Sequence, residues 1–302
     1  MIADDVPQAN AILYYTLERA ILLAEAVGDS SVSSKYAQAM QGIKEAINAN
    51  LWDQTQNLFF DNDHNKTASA IRPQDGNSWV IIAGIVDKER AALISTSLMN
   101  RWVRPYGAPA PEAGPTVSPF ATGFEVQAHF LAGYPERALE LVEFMWADFM
   151  LDDPRMTNSS FIEGYSTNGD LHYAPYDNDA RISYAHGWAT SPTSSLTFLA
   201  AGLQVTSADG KTWSIQPRLG GLREVSAGFK TSLGAYEVNW SVVDGLLTGN
   251  FSVPMSTSGT LMLPKEAGKL SGSQRACEGT DHPDGILYDN LPGGLYSLAA
   301  AR

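Results

Sequence analysis

Apolar residues recur every three or four positions over most of residues 1–204, which is the period of an amphipathic helix. Ile12, Tyr15 and Leu22 lie on one such stripe, and the stripe stops at Gly28. Prolines near segment starts and glycines near segment ends are typical of helix boundaries. The predicted helices cover residues 11–27, 34–52, 77–85, 88–102, 119–132, 136–151 and 192–202.

Two departures from this period divide the chain. Five prolines between residues 104 and 119 exclude regular structure there and predict a long loop beside the helices. From Thr212 onwards, apolar and polar residues alternate between Gly or Pro breaks, which predicts antiparallel strands packed as a small sandwich. The sequence therefore predicts a helical domain over residues 1–204 and a β-domain over 205–302, the helices being arranged as a toroid or a solenoid.

The charge balance narrows the classes of partner. The net charge is −13, so the chain offers no basic surface to a nucleic acid or to an anionic membrane. We expect a neutral small molecule instead. Cys277 is the one cysteine of the sequence, so no internal disulfide can form. Asn-x-Ser/Thr triplets at Asn65, Asn158, Asn239 and Asn250 are compatible with a secreted glycoprotein, although such triplets also arise by chance.

Candidate chemistry concentrates in residues 159–198. Glu163 precedes Gly164 at the end of an extended run, where a turn can aim a carboxylate into a cleft. Aromatic side chains, histidines and further acids follow, and sugar-binding clefts use this mixture, because aromatic faces stack on a pyranose while polar groups bind its hydroxyls. A solvated loop rich in Tyr and Asp is an equally good interpretation of composition alone.

Other chemistries find little support in the sequence. His172 and His186 are 14 residues apart and belong to no spacing typical of a metal site, and the GxSxG motif of serine hydrolases is absent. The residues therefore specify no set of metal ligands and no serine-hydrolase triad.

The run SYAHGWATSPTSSLTF, followed by WSIQPRLGGL, AGFKTSLGAYEVNW and GGLYSL, resembles the C-terminal part of the α-L-rhamnosidases of glycoside hydrolase family 78. The likeness extends back through SSFIEGY and PFATGFEVQAHFLAG to the first helical pair. It implies part of a six-hairpin (α/α)6 toroid followed by a small β-sandwich. It also implies an inverting hydrolase that releases terminal L-rhamnose from a glycoside or oligosaccharide, outside the cell, without a cofactor.

The resemblance also implies roles for single residues. Glu163 matches the general base that activates water. The substrate contacts it implies are His186, Trp188, Phe161, Glu125 and Tyr165.

One part of the family pattern is missing. Rhamnosidases carry their general acid in an Asp/Arg/Glu-rich segment far upstream of the base, and the opening DDVPQAN has neither the Arg nor the Glu. About seven helices are predicted where twelve would close the ring. The expectation is thus an N-terminally truncated rhamnosidase that is inactive alone. The alternatives are a sugar-binding pseudoenzyme and a lyase on a similar toroid, which would need a basic cluster for a uronic acid; only Arg155 and Arg181 lie near Glu163 in sequence.

Overall fold

The chain divides into two compact units. The computed structural model describes residues 6–29, 31–272 and 278–299, so Cys277 lies outside the described residues. The units are Met1–Ser191 and Pro192–Arg302. Helices of the first unit are α1 (Pro7–Ala26), α2 (Ser33–Asn50), α3 (Gln74–Ile82), α4 (Lys88–Met99), α5 (Pro119–Leu131) and α6 (Pro135–Val142), with a π-helix over Glu143–Leu151. Its short strands are β1 (Trp52–Asp53), β2 (Leu58–Phe59), β3 (Thr116–Val117) and β4 (Tyr165–Ser166).

Local sequence sets the ends of these helices. The Asp87 side chain caps α4 by accepting the N–H of Arg90 at 2.8 Å. Pro119 opens α5, and Gly133 ends it with a φ of +89°, a conformation that favours glycine. Helix α3 begins at Gln74 rather than at the predicted residue 77, because Pro73 supplies an extended N-cap.

The helices pack as successive pairs. Helix α3 contacts both α1 and α5, α2 packs on α1, and α6 packs on α5. Their shared core includes Ala11, Ile47, Val80, Ile94 and Ala128. The arrangement is that of consecutive helical hairpins, and the partial (α/α)6 toroid stays a prediction. None of the helices within the described ranges is long and apolar enough to cross a membrane.

The second unit begins with a short helix, α7 (Pro192–Ser195), which continues as a π-turn over Leu196–Ala200. Its strands are β5 (Leu203–Val205), β6 (Thr212–Ile215), β7 (Glu224–Thr231), β8 (Gly234–Val243), β9 (Leu246–Leu263), β10 (Lys269–Gly272), β11 (Thr280–His282) and β12 (Gly285–Ala299). Residues of six of these strands, β5, β6, β8, β9, β10 and β12, together with Ala201, contribute to one core cluster.

The predicted sandwich of antiparallel sheets needs correction. The described strands of the second unit form a single hydrogen-bonded sheet of eight strands, and β6 pairs with β9 in parallel. The long strand β9 pairs with β12 along one side, and with β8 and then β6 along the other. Register shifts in β12 between Tyr288 and Leu291 and between Pro292 and Gly294 let this sheet bend. The sheet therefore curls around its own core like a partly closed barrel.

Replacing Trp240 by alanine should destabilise the β-unit. The indole is buried in the core and donates a hydrogen bond to the carbonyl of Ala201 at 2.9 Å. Losing a buried aromatic side chain commonly costs about 3–5 kcal/mol of unfolding free energy. Circular dichroism during urea unfolding should show this loss, whereas Val243→Ala, at a half-exposed position of the same strand, should change the curve little. Equal effects from both variants would contradict this account of the core.

Candidate functional site

A two-residue ladder anchors the segment that carries the candidate site. Strand β3 pairs with β4, so that Val117 faces Tyr165 and Thr116 faces Ser166. The Tyr165 ring is fully buried and its hydroxyl donates to the carbonyl of Tyr106 at 2.5 Å. Residues just before β4 are therefore held close to the start of α5.

Two backbone bonds join the two halves of the site. The N–H of Glu163 donates to the carbonyl of Ser183 at 2.8 Å, and the N–H of His186 donates to that of Phe161 at 2.9 Å. The chain segments around Glu163 and His186 thus run side by side, although they are about 20 residues apart in sequence. This pairing brings Glu163, His186, Phe161 and the neighbouring Trp188 into one region.

Glu163 is a buried carboxylate with several partners. Its side chain is 4% exposed. The Tyr176 hydroxyl donates to Oε1, and the N–H of Ser183 donates to Oε2 at 3.1 Å. The His186 Nδ1 atom lies 3.8 Å from the same Oε2, close enough for electrostatic attraction when the imidazole is protonated. Each oxygen of the carboxylate therefore accepts one hydrogen bond, which fixes the orientation of the side chain.

Two tyrosines form the wall beside this carboxylate. Tyr173 packs so closely over Gly164 that an added Cβ there would lie 2.3 Å from its ring. The rings of Tyr173 and Tyr176 meet edge to face, with centroids 5.1 Å apart. The bond to Glu163 raises the pKa of Tyr176, so its hydroxyl keeps the proton that it donates. Burial, as the main cause, raises the pKa of Tyr173.

An exposed aromatic surface borders the carboxylate. We define it as Phe120, Trp188 and the imidazole of His186. The Phe120 and Trp188 rings lie 4.7 Å apart and 30° from parallel, and Trp188 lies 4.6 Å from the His186 ring. Trp188 is 50% exposed and Phe120 is 38% exposed. Aromatic faces open to solvent beside a carboxylate can stack on the apolar face of a sugar ring.

Glu125 lies in a different, fully enclosed network. It is 1% exposed. Trp102 Nε1 donates to its Oε1 at 2.6 Å, Gln74 Nε2 donates to its Oε2 at 2.7 Å, and His129 Nε2 lies 3.2 Å from Oε1. Burial, as the main cause, lowers the pKa of His129. The network joins α5 to α3 and to the end of α4.

The six residues named from the sequence fall into two groups. Glu163, His186, Trp188 and Phe161 come together around one carboxylate. Glu125 and Tyr165 are buried with structural partners, and their role as substrate contacts stays a prediction. Sequence reasoning gave no specific role to Tyr176 and passed over Phe120, because no local pattern indicates which ring of a Tyr-rich loop will reach a distant carboxylate. Among the described residues, no three His, Cys, Asp or Glu side chains form a possible metal site.

Comparison with known proteins places this geometry in a family context. Residues 202–278 match the model of the bacterial α-L-rhamnosidase C-terminal domain, and residues 6–121 match that of trehalase. The chain is similar to the GH78 rhamnosidase of Bacillus sp. GL1, with a TM-score of 0.66 and 21% identity over 87% of this chain and 26% of that one. It is also similar to the Streptomyces avermitilis α-L-rhamnosidase complexed with L-rhamnose, with a TM-score of 0.63 and 13% identity over 96% of this chain and 26% of that one.

A curated relative is a phosphorylase. Solabiose phosphorylase of Paenibacillus borealis is 30% identical over 129 residues, which are 40% of this chain and 16% of that protein. The chain thus spans about a quarter of the two rhamnosidases and less than a fifth of the phosphorylase. The resemblance to family 78 rhamnosidases is confirmed by the C-terminal match and the shared fold.

Gly164→Ala should disturb the tyrosine wall. The new methyl group would overlap the Tyr173 ring, and overpacking of this kind commonly costs about 1–3 kcal/mol of unfolding free energy. Gly187→Ala is the matched control, because nothing lies within 4 Å of a Cβ at that position. Thermal unfolding and near-ultraviolet circular dichroism should separate the two variants. A silent Gly164→Ala variant would show that Tyr173 does not pack as described.

Proposed function

We propose that the chain is the C-terminal part of a glycoside hydrolase of the α-L-rhamnosidase type, in which Glu163 is the general base. The observation that carries the proposal is a buried carboxylate, held by Tyr176 and Ser183, beside an exposed aromatic surface. The resemblance in sequence, the family match of residues 202–278 and the similarity to rhamnosidase structures support the choice of sugar.

The chemistry follows from the position of the carboxylate. In an inverting hydrolysis, the base removes a proton from water as the water oxygen bonds to the anomeric carbon, and the bond to the leaving oxygen breaks. That oxygen takes a proton from an acid on the opposite face of the sugar. In the proposal Glu163 takes the proton of water, His186 and Trp188 contact the sugar, and the acid comes from outside these 302 residues.

The expected substrate is a neutral terminal L-rhamnose on a glycoside or oligosaccharide. The net charge of −13 disfavours anionic ligands, and stacking on Phe120 and Trp188 needs no charge. The Streptomyces avermitilis neighbour is described in complex with L-rhamnose, which agrees with this choice. Export from the cell and glycosylation at the Asn-x-Ser/Thr triplets belong to the same proposal.

A phosphorylase is the second candidate. The sequence identity to solabiose phosphorylase favours this candidate. In a phosphorolysis, inorganic phosphate replaces water as the attacking group. The rest of the architecture would be unchanged. Phosphate dependence of sugar release therefore separates the two candidates.

The first test is release of p-nitrophenol from p-nitrophenyl α-L-rhamnoside. The 302-residue chain and a form extended upstream are compared, each with and without phosphate. We expect turnover in the extended form without phosphate, and its loss by at least about 10²-fold in Glu163→Gln, the usual scale of a general base. Glu89→Gln, at an exposed position of α4, is the control.

Each other outcome has a distinct meaning. Activity that needs phosphate would establish the phosphorylase. Activity of the short chain would place the acid within it. Silence of both forms, with L-rhamnose binding retained in calorimetry, would favour a sugar-binding pseudoenzyme, and full activity of Glu163→Gln would refute the assignment of the base.

Tyr176→Phe should lower kcat about tenfold or more while leaving the melting temperature nearly unchanged. The variant removes the hydrogen bond to Oε1 and keeps the ring that contacts Tyr173. An unchanged kcat would show that Tyr176 only fills space.

A further inference from the structure

The proline-rich loop before α5 is a hairpin, and one acid ties it to α3. Glu112 lies in a 3-10 turn over Pro111–Ala113. Its Oε2 accepts the N–H of Gln74 at 2.9 Å and its Oε1 accepts that of Asp75 at 3.1 Å. These are N–H groups of the first helical turn, which have no partner within a helix. The loop therefore closes the N-terminal end of α3.

A second carboxyl group lies beside the first. Asp75 belongs to the same helical turn, its Oδ1 accepts the N–H of Gly76 at 2.5 Å, and its carboxyl interacts with that of Glu112. Burial, as the main cause, and the nearby Asp75, as the second, raise the pKa of Glu112 to about 7. Burial also raises the pKa of Asp75. Two close carboxyl groups of this kind share a proton rather than both ionise.

Other charged groups reach the pair from neighbouring elements. Asp61, after β2, adds a negative charge near Asp75. Arg101, after α4, interacts favourably with Glu112 and is itself hydrogen-bonded to the carbonyl of Arg72 at 2.7 Å. Arg101 also interacts with Glu125 and lies near the positive charge of Arg72, so its charge is shared between two acids.

The hairpin leads directly to the candidate site. The N–H of Ala110, in the first arm, donates to the carbonyl of Thr116, in the second arm, at 2.8 Å. The N–H of Thr167, just after β4, donates to the carbonyl of Pro115 in the hairpin at 2.9 Å. The second arm is β3, which pairs with β4. Glu163 precedes β4 by two residues. A hairpin released from α3 would take support away from Glu163.

We infer that Glu112 is a positioning residue for Glu163: the Asp75–Glu112 pair holds the β3 hairpin on α3, and the hairpin holds β4. The role of Glu163 rests on the proposed function, whereas the contact between hairpin and helix does not. The pKa of Glu112 is raised in the fold, so its stabilisation is present below its ordinary pKa near 4.5 and is lost as the pH rises through about 7.

The test is hydrogen exchange by mass spectrometry between pH 5.5 and 8.5, with rates corrected for intrinsic exchange. In the wild type, protection of the amides of Ala110, Thr116 and Thr167 should fall about tenfold per pH unit from pH 5.5 to about 7 and level off above it, because in this range the closed form holds a proton that the open form has lost. In Asp75→Asn the amide can donate to the Glu112 carboxylate without repulsion, so protection should persist to pH 8.5. Glu112→Ala should be poorly protected throughout.

Asp75→Asn also controls for effects of histidine protonation, since this variant retains all five histidines. The inference would be overturned if protection of these amides did not depend on pH in the wild type, or depended on pH in the same way in Asp75→Asn. In the catalytically active form, kcat should fall over the same pH range as amide protection in the wild type, and should not fall in Asp75→Asn. A change in amide protection without a change in kcat would refute the positioning of Glu163. If no form is active, the proposed function fails, while hydrogen exchange still tests whether the Asp75–Glu112 pair holds the hairpin on α3.

Discussion

Burial of acidic side chains is the constraint on which the helical unit depends. A carboxylate removed from water is costly unless donors or cations compensate it. The chain is strongly acidic overall, so few cations are available, and it solves the problem in three ways. Glu163 is bound by a hydroxyl and a backbone N–H, Glu125 by an indole, an amide and an imidazole, and Glu112 by a helix N-terminus and a shared proton.

These solutions differ in what they permit chemically. The partners of Glu125 come from α3, from α5 itself and from the segment after α4, so they join these elements. Those around Glu163 come from loops, and the aromatic surface on its open side can hold a sugar. Both carboxylates are buried and paired, so what distinguishes Glu163 is the exposed aromatic surface beside it.

Sequence patterns predicted the helices and most strands because those depend on local periodicity. Helices α4 and α5 begin where capping and proline residues indicate, and the alternation after Thr212 indicates strands. The parallel contact of β6 with β9 was not predictable, since it joins residues more than 40 positions apart. For the same reason Glu163 could be named from its surroundings, but Tyr176 and Phe120 could not be assigned to it, and the pairing of Asp75 with Glu112 left no local signal in the sequence.

The site has little regular structure of its own. Between the π-helix that ends at Leu151 and α7, the chain forms only β4 and two 3-10 turns. Few backbone hydrogen bonds stabilise such segments, and they open locally more easily than the packed helices do. The position of Glu163 then depends on a small number of contacts: the β3–β4 ladder, the bond to Ser183 and the tyrosine wall. Because the ladder includes the hairpin that Glu112 fastens to α3, the geometry of one buried carboxylate depends on the ionisation of another.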